Sequence, residues 1–171
     1  MAVVVWIAEG TWPACVEAAR VHAAQGAEIV LLHVTGTEVP GVAHGAFAGL
    51  LGRGHPKGQH QSGGWGSDPG TRLEDLAADS SRQLLQAAAE LLGRPCVQVA
   101  RTGRIEREVV AATEGADLLV LARDGDRTHL GPHSLGPAGR FVVDHAACPV
   151  LLVWPGAAPA GPPPPAPPRH R

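Results

Sequence analysis

Five short apolar runs constrain this chain more than any other feature: AVVVWIA (2–8), EIVLLHV (28–34), CVQVA (96–100), DLLVLA (117–122) and PVLLVW (149–154). Four of them are nearly continuous in Val, Ile and Leu rather than alternating with polar residues. Strands covered on both sheet faces read this way, which is the pattern of parallel sheets. Helical patterns lie between the runs. Thr11 stands as an N-cap for WPACVEAARVHAAQG, with Pro13 in the first turn and Gly26 at the end. Thr71 and Glu74 have capping-box spacing. They open a long helix, closed by Gly93, that places Leu73, Leu76, Leu84, Leu85, Ala88 and Leu91 on one broad side. A third helix is expected from Ile105 to Glu114, burying Ile105, Val109 and Ala112, and a fourth from Leu135 to His145. The order is βαβαβαβαβ, so the expected fold class is α/β: a five-stranded parallel sheet with right-handed crossovers and helices on both faces.

Two segments depart from the alternation. Residues 35–70 form a connection rich in Gly and His, and about 35 residues is long for a compact domain. Within it HGAFAGLLG is expected to form a short helix and the remainder to be mobile. Residues 156–171, GAAPAGPPPPAPPRHR, read as a disordered, partly polyproline II tail. The expected organisation is therefore one domain over 1–155, carrying the 35–70 insertion, followed by the tail.

Charge and cysteine usage exclude several classes. The 171 residues carry a formal net charge of −2, which supplies no field for nucleic acid or an anionic membrane. Lys57 is the single lysine, and the other thirteen basic residues are arginines. Cys15, Cys96 and Cys148 are odd in number and far apart, as reduced thiols of a cytoplasmic protein would be. No run reaches the roughly 18 apolar residues of a membrane span, and MAVVVWIAEG lacks a signal peptide's basic start. His129 and His133 are four apart, but the Gly-Pro between them prevents a helix from presenting both rings. Neither they nor His44, His55 and His60 show zinc-ligand spacing, so no metal site is expected.

In an open parallel sheet, ligands bind beyond the carboxyl ends of the strands, where strand order reverses. If the order is 3-2-1-4-5, that point lies between strands one and four. Strand one delivers Glu9-Gly10-Thr11 and strand four delivers Ala122-Arg123-Asp124-Gly125. Gly125, Gly131 and Gly136 permit tight turns and close backbone approach. The start of the fourth helix adds free N–H groups that favour an anion. There is no G-x-x-x-x-G-K-[ST], no G-x-G-x-x-G after the first strand and no G-x-S-x-G elbow. No nucleophile–base pair can be named, so an enzyme is not expected.

The segments VVVWIAEGT, GAEIVLLHV, GADLLVLARDG and SLGPAGRFVVDHAACPVLLVWP resemble, in that order, the universal stress protein family. The resemblance implies the sheet order 3-2-1-4-5. It also implies ATP or another adenine nucleotide as ligand, with or without Mg²⁺, and a homodimer joined through the last strand, Pro149 to Trp154. The nucleotide-binding members carry G-x2-G-x9-G-[ST] after strand four. Here Ala122 takes the first glycine's place, Gly125 matches the second, and Gly136 matches the third after ten intervening residues instead of nine. Pro137 replaces the hydroxyl residue, and Gly139 stands where a second one often lies. The binding residues so implied are Ala8 and Glu9 after strand one, Val34 at the end of strand two, Ala122, Arg123 and Gly125, and Gly136, Pro137 and Ala138.

Pro137 removes both a hydroxyl and a backbone N–H from a phosphate cradle. Each lost hydrogen bond to a charged phosphate costs about 1.5–3 kcal/mol. Arg123, Arg127 and Arg140 are candidate charge partners in compensation, and Ser134 and Thr128 are candidate donors. Two functions stay open. One is a nucleotide-responsive regulatory protein of stress response. The other is a nucleotide-free dimer of the same fold, acting through protein partners.

Overall fold

A computed structural model of the chain describes residues 1–37 and 69–161. Its strands are β1 (Ala2–Trp6), β2 (Glu28–Gly36), β3 (Val97–Gly103), β4 (Leu118–Ala122) and β5 (Val150–Val153). Between them lie helices α1 (Trp12–His22), α2 (Pro69–Leu92), α3 (Ile105–Ala112) and α4 (Pro137–His145), with a 3₁₀ turn at Pro132–Ser134. All strand pairs are parallel, in the order β3-β2-β1-β4-β5. The fold class and strand order are those expected. The short helix expected at HGAFAGLLG and the tail beyond Gly161 lie outside the described residues.

Period-two alternation divides the core into two layers. Val3, Val5, Ile7, Ile29, Leu31, Val120 and Ala122 face α1 and α2, where Cys15, Val16, Ala19, Leu85 and Ala88 meet them. Val4, Trp6, Leu32, Val34, Leu119 and Leu121 face α3 and α4, represented by Val109 and Val142. Each fully buried Leu, Ile or Val contributes about 1.5–3 kcal/mol. Continuous aliphatic runs arise because neither face of the three inner strands is wet. The outer strand β3 differs: Val97 is exposed, and Gln98 and Arg101 stand on it.

Several local expectations are corrected. Thr11 precedes α1, but its hydroxyl turns back to the Ala8 carbonyl (3.4 Å) and caps no N–H. α1 stops at His22, and Gly26 (φ 84°) instead forms the turn into β2. α2 begins at Pro69, so Thr71 lies inside the helix rather than at its cap. α3 ends at Ala112 and α4 begins at Pro137, each two residues short of the expected limit. Gly93 closes α2 as expected, donating its N–H to Ala89 at 3.1 Å.

The apolar side of α2 is only partly used. Leu85, Ala88 and Leu92 are buried, whereas Leu73, Leu76 and Leu91 are exposed among the described residues. A helix of 24 residues is about 36 Å long. The adjacent nine-residue β2 spans about 30 Å. The first turns of α2 therefore overrun the sheet. Leu31→Ala should lower unfolding free energy by about 2–5 kcal/mol, whereas Leu76→Ala should change it by about 0.5 kcal/mol at most. Urea denaturation of the two variants checks the contrast.

Candidate functional site at the carboxyl ends of β1 and β4

β1 and β4 are neighbours, with Val5 opposite Val120. Their chains continue to opposite faces of the sheet, β1 into α1 and β4 through a long loop into α4. The gap between them is the crevice expected at the strand-order reversal. Ala8 and Glu9 leave β1 on one side of it, Glu9 being exposed. Thr11 and Trp12 both donate their N–H groups to the Ala8 carbonyl, at 3.2 and 3.0 Å, which tightens the entry to α1. Val34 lies one strand further over. Its side chain is buried against the α3 and α4 layer, and it is paired in register with Arg101 of β3. His33 was not singled out in the sequence, yet its Nδ1 donates to the Ile7 carbonyl at 2.7 Å and ties the ends of β1 and β2 together.

Ala122 ends β4 with its side chain packed into the α1 layer. The next residue, Arg123, points to the opposite face by the same alternation. Its guanidinium stacks over Trp154 at 4.8 Å, and its Nη1 donates to the Ser134 hydroxyl at 2.5 Å. Arg123 thus faces β5 rather than the α1 layer that holds Ala122. Arg140 donates to the Pro132 carbonyl, and Arg127 stands exposed on the loop. The two hydroxyl candidates are engaged as well. Ser134 is fully buried and donates to the Gly131 carbonyl at 2.6 Å, and the Thr128 hydroxyl donates to Asp126. These hydrogen bonds from Thr128 hold the Asp126 carboxyl below its ordinary range.

The loop closes on itself. Gly125 donates its N–H to the Ser134 carbonyl at 3.0 Å, and Asp126 donates to His133 at 2.8 Å. A Cβ at Gly125 would lie 2.3 Å from the His133 carbonyl oxygen, so only glycine permits this closure. Gly136 caps α4 and Pro137 and Ala138 follow in its first turn, all brought next to the end of β4. Asp124 supplies the contact that sequence reasoning missed: its carboxylate accepts the Gly136 N–H at 2.7 Å. The contact spans twelve residues, and its only trace in the sequence is an Asp just before Gly125 with glycines at 136 and 139. A hollow of about 510 Å³ lies beside this loop, on the β5 side, lined by Arg123, Pro132, Leu135, Arg140, Asp144 and Leu152. A larger one, about 680 Å³, opens at the opposite end of the sheet between Gly26 and Arg94, far from the strand-order reversal. Among the described residues no three His, Cys, Asp or Glu side chains converge as metal ligands, and no helix is long and apolar enough to cross a membrane.

The family model "Universal stress protein family" matches residues 8–153. The chain belongs to the universal stress protein family. Similar solved structures include UspA from Lactobacillus plantarum, at 17% identity with a TM-score of 0.54, covering 90% of this chain and 97% of that one. A family protein from Arabidopsis thaliana with AMP bound shows 19% identity and a TM-score of 0.55, covering 92% and 93%. A universal stress protein in complex with cAMP shows 16% identity and a TM-score of 0.56, covering 91% and 98%. At these identities the likeness is one of fold. A comparison with curated proteins found no significant match.

In this universal stress protein Cys15 of α1 is buried in the core layer that also holds Ala122. Burial pushes the Cys15 thiol up to about 12, although a hydrogen bond with the Ala122 backbone pulls the other way. Burial likewise raises Cys96 and Cys148. A raised folded-state value makes the thiol's contribution to stability fully present below the unfolded value of 9.0 and lost as pH rises towards about 12. With one lysine and no tyrosine, few other side chains titrate in that window. Stability measured by urea titration should therefore fall across it, and Cys15→Ala should flatten the slope.

Proposed function

We propose that this universal stress protein is a non-enzymatic regulator that takes an adenine nucleotide weakly in the β1–β4 crevice and works as a homodimer joined through β5. The observation that carries the reading is the loop from Gly125 to Gly136. It folds back tightly at the strand-order reversal and delivers the start of α4 there. Ala8, Glu9 and Val34 stand across the same end of the sheet as the wall for an adenosine group. The structural neighbours with AMP and with cAMP support adenine as the base. Binding is weak because Pro137 offers neither hydroxyl nor N–H, Ser134 is occupied, and Arg123 and Arg140 are engaged by other partners. Any hydrolysis of the nucleotide should be slow.

Calorimetric titration with ATP, with and without Mg²⁺, should give a dissociation constant on the order of 0.1 mM. Gly125→Val, which cannot keep the closed loop, should give no heat. Absence of heat and of any melting shift in the parent at millimolar ATP would remove the nucleotide from the proposal. The nucleotide-free dimer would then stand as the function, a reading favoured by the Asp124 carboxylate already seated on the Gly136 N–H.

The two outer strands support a dimer through β5 rather than β3. β5 is uncharged, and its Val150, Leu151, Leu152 and Val153 are each only half-buried, whereas β3 carries Gln98 and Arg101. Charged residues on an outer strand oppose edge-to-edge pairing, and their absence permits it. Sedimentation velocity should find a dimer in the parent and a monomer in Leu152→Glu. A parent that stays monomeric at high micromolar concentration would exclude this assembly.

A further inference from the structure

We propose that Asp124 is the resident anion of the α4 amino end and thereby sets the ligand preference of the crevice: it admits the nucleoside part of an adenine ligand and weakens the hold on its phosphates. The nucleoside half of this inference rests on the crevice reading above; the weakened hold on phosphate rests on Asp124 alone.

The start of a helix carries partial positive charge and free N–H donors, and an anion placed there is stabilised. In this chain the anion is built in. Asp124 Oδ1 accepts the Gly136 N–H at 2.7 Å. The carboxylate fits because two neighbouring positions lack side chains. A Cβ at Gly136 would lie 3.0 Å from Asp124 Oδ2, and one at Gly139 would lie 2.8 Å from Oδ1. Asp124, Pro137 and Gly139 thus make one consistent set. The first supplies negative charge, the second withdraws an N–H and a hydroxyl, and the third leaves the space that the carboxylate enters. The donors closest to the carboxylate are already engaged. Arg123 is held by Ser134 and Trp154, Arg140 by the Pro132 carbonyl, and the Gly125 and Asp126 N–H groups by the loop itself.

The test uses ¹⁵N-labelled full-length protein and sodium tripolyphosphate, a probe that carries no base. In Asp124→Ala the amides of Gly136, Ala138 and Gly139 should shift and saturate. In the parent the same shifts should need about tenfold more tripolyphosphate or be absent. Equal saturation in both proteins, or no shift in a well-dispersed Asp124→Ala spectrum, would overturn the proposal. Asp124→Asn keeps an acceptor for the Gly136 N–H without the charge. Should the alanine variant not fold, the asparagine variant decides on the same criterion: a severalfold lower saturating concentration than the parent supports the proposal, and equality overturns it. A parallel calorimetric arm with adenosine and ATP separates the two halves. Asp124→Ala should gain affinity for ATP and leave adenosine unchanged. Failure of adenosine to bind either protein would end the crevice reading, while the tripolyphosphate arm would still judge Asp124.

Discussion

Parallel pairing of β1 with β4 is the interaction on which the rest of this molecule depends. Three residue pairs, Val3–Leu118, Val4–Leu119 and Val5–Val120, join a β3-β2-β1 half to a β4-β5 half. Every side chain in that seam is at least half-buried: Val3, Val5 and Val120 under α1 and α2, Val4 and Leu119 under α3 and α4. Without the pairing neither half would have both faces covered, and its continuous aliphatic runs would face water. The seam is also what creates the crevice. Two adjacent strands end together while their chains leave for opposite faces, so a gap opens between them.

The loop that follows β4 shows how a fold can keep the frame of a binding site while satisfying the polar groups that would have served a ligand. Gly125, Asp126, Gly136 and Ser134 each place an N–H or hydroxyl on a partner within the same stretch of chain. Groups of this kind raise the stability of the empty protein, because a satisfied donor need not be hydrated. The same bonds must be broken, or the partner displaced, before an external ligand can use them. Stability of the free loop and affinity for an anion are therefore drawn from the same few donors.

Much of the fold was legible in the sequence because it depends on burial. Runs such as VVVW and LLVLA are too apolar to be wet on either side, and glycines and prolines mark where they stop. The strand order came with the family resemblance and not from periodicity. What was not legible depends on length and direction. The leucines at 73 and 76 have helical spacing, but spacing does not reveal that the helix outruns its sheet. Thr11 has the side chain of a cap, yet the turn before α1 aims its hydroxyl at a carbonyl. At the site, the glycines and the start of α4 were readable from residue type. Arg123 was not, since its charge is plain but the face it leaves from follows from the alternation of β4. Asp124 required knowing that residues twelve apart meet.

The unlike outer strands carry a consequence for how far this sheet can grow. β5 presents an uncharged row of aliphatic residues, while β3, at the other end, bears Gln98 and Arg101. Pairing of β5 with the β5 of another copy is isologous, so it consumes the open edge of both molecules at once. What then remains outermost on each side is the charged strand. In the proposed dimer, growth past ten strands would have to use the β3 edges, and their charge opposes it, where a chain with two apolar edges could continue into a fibre.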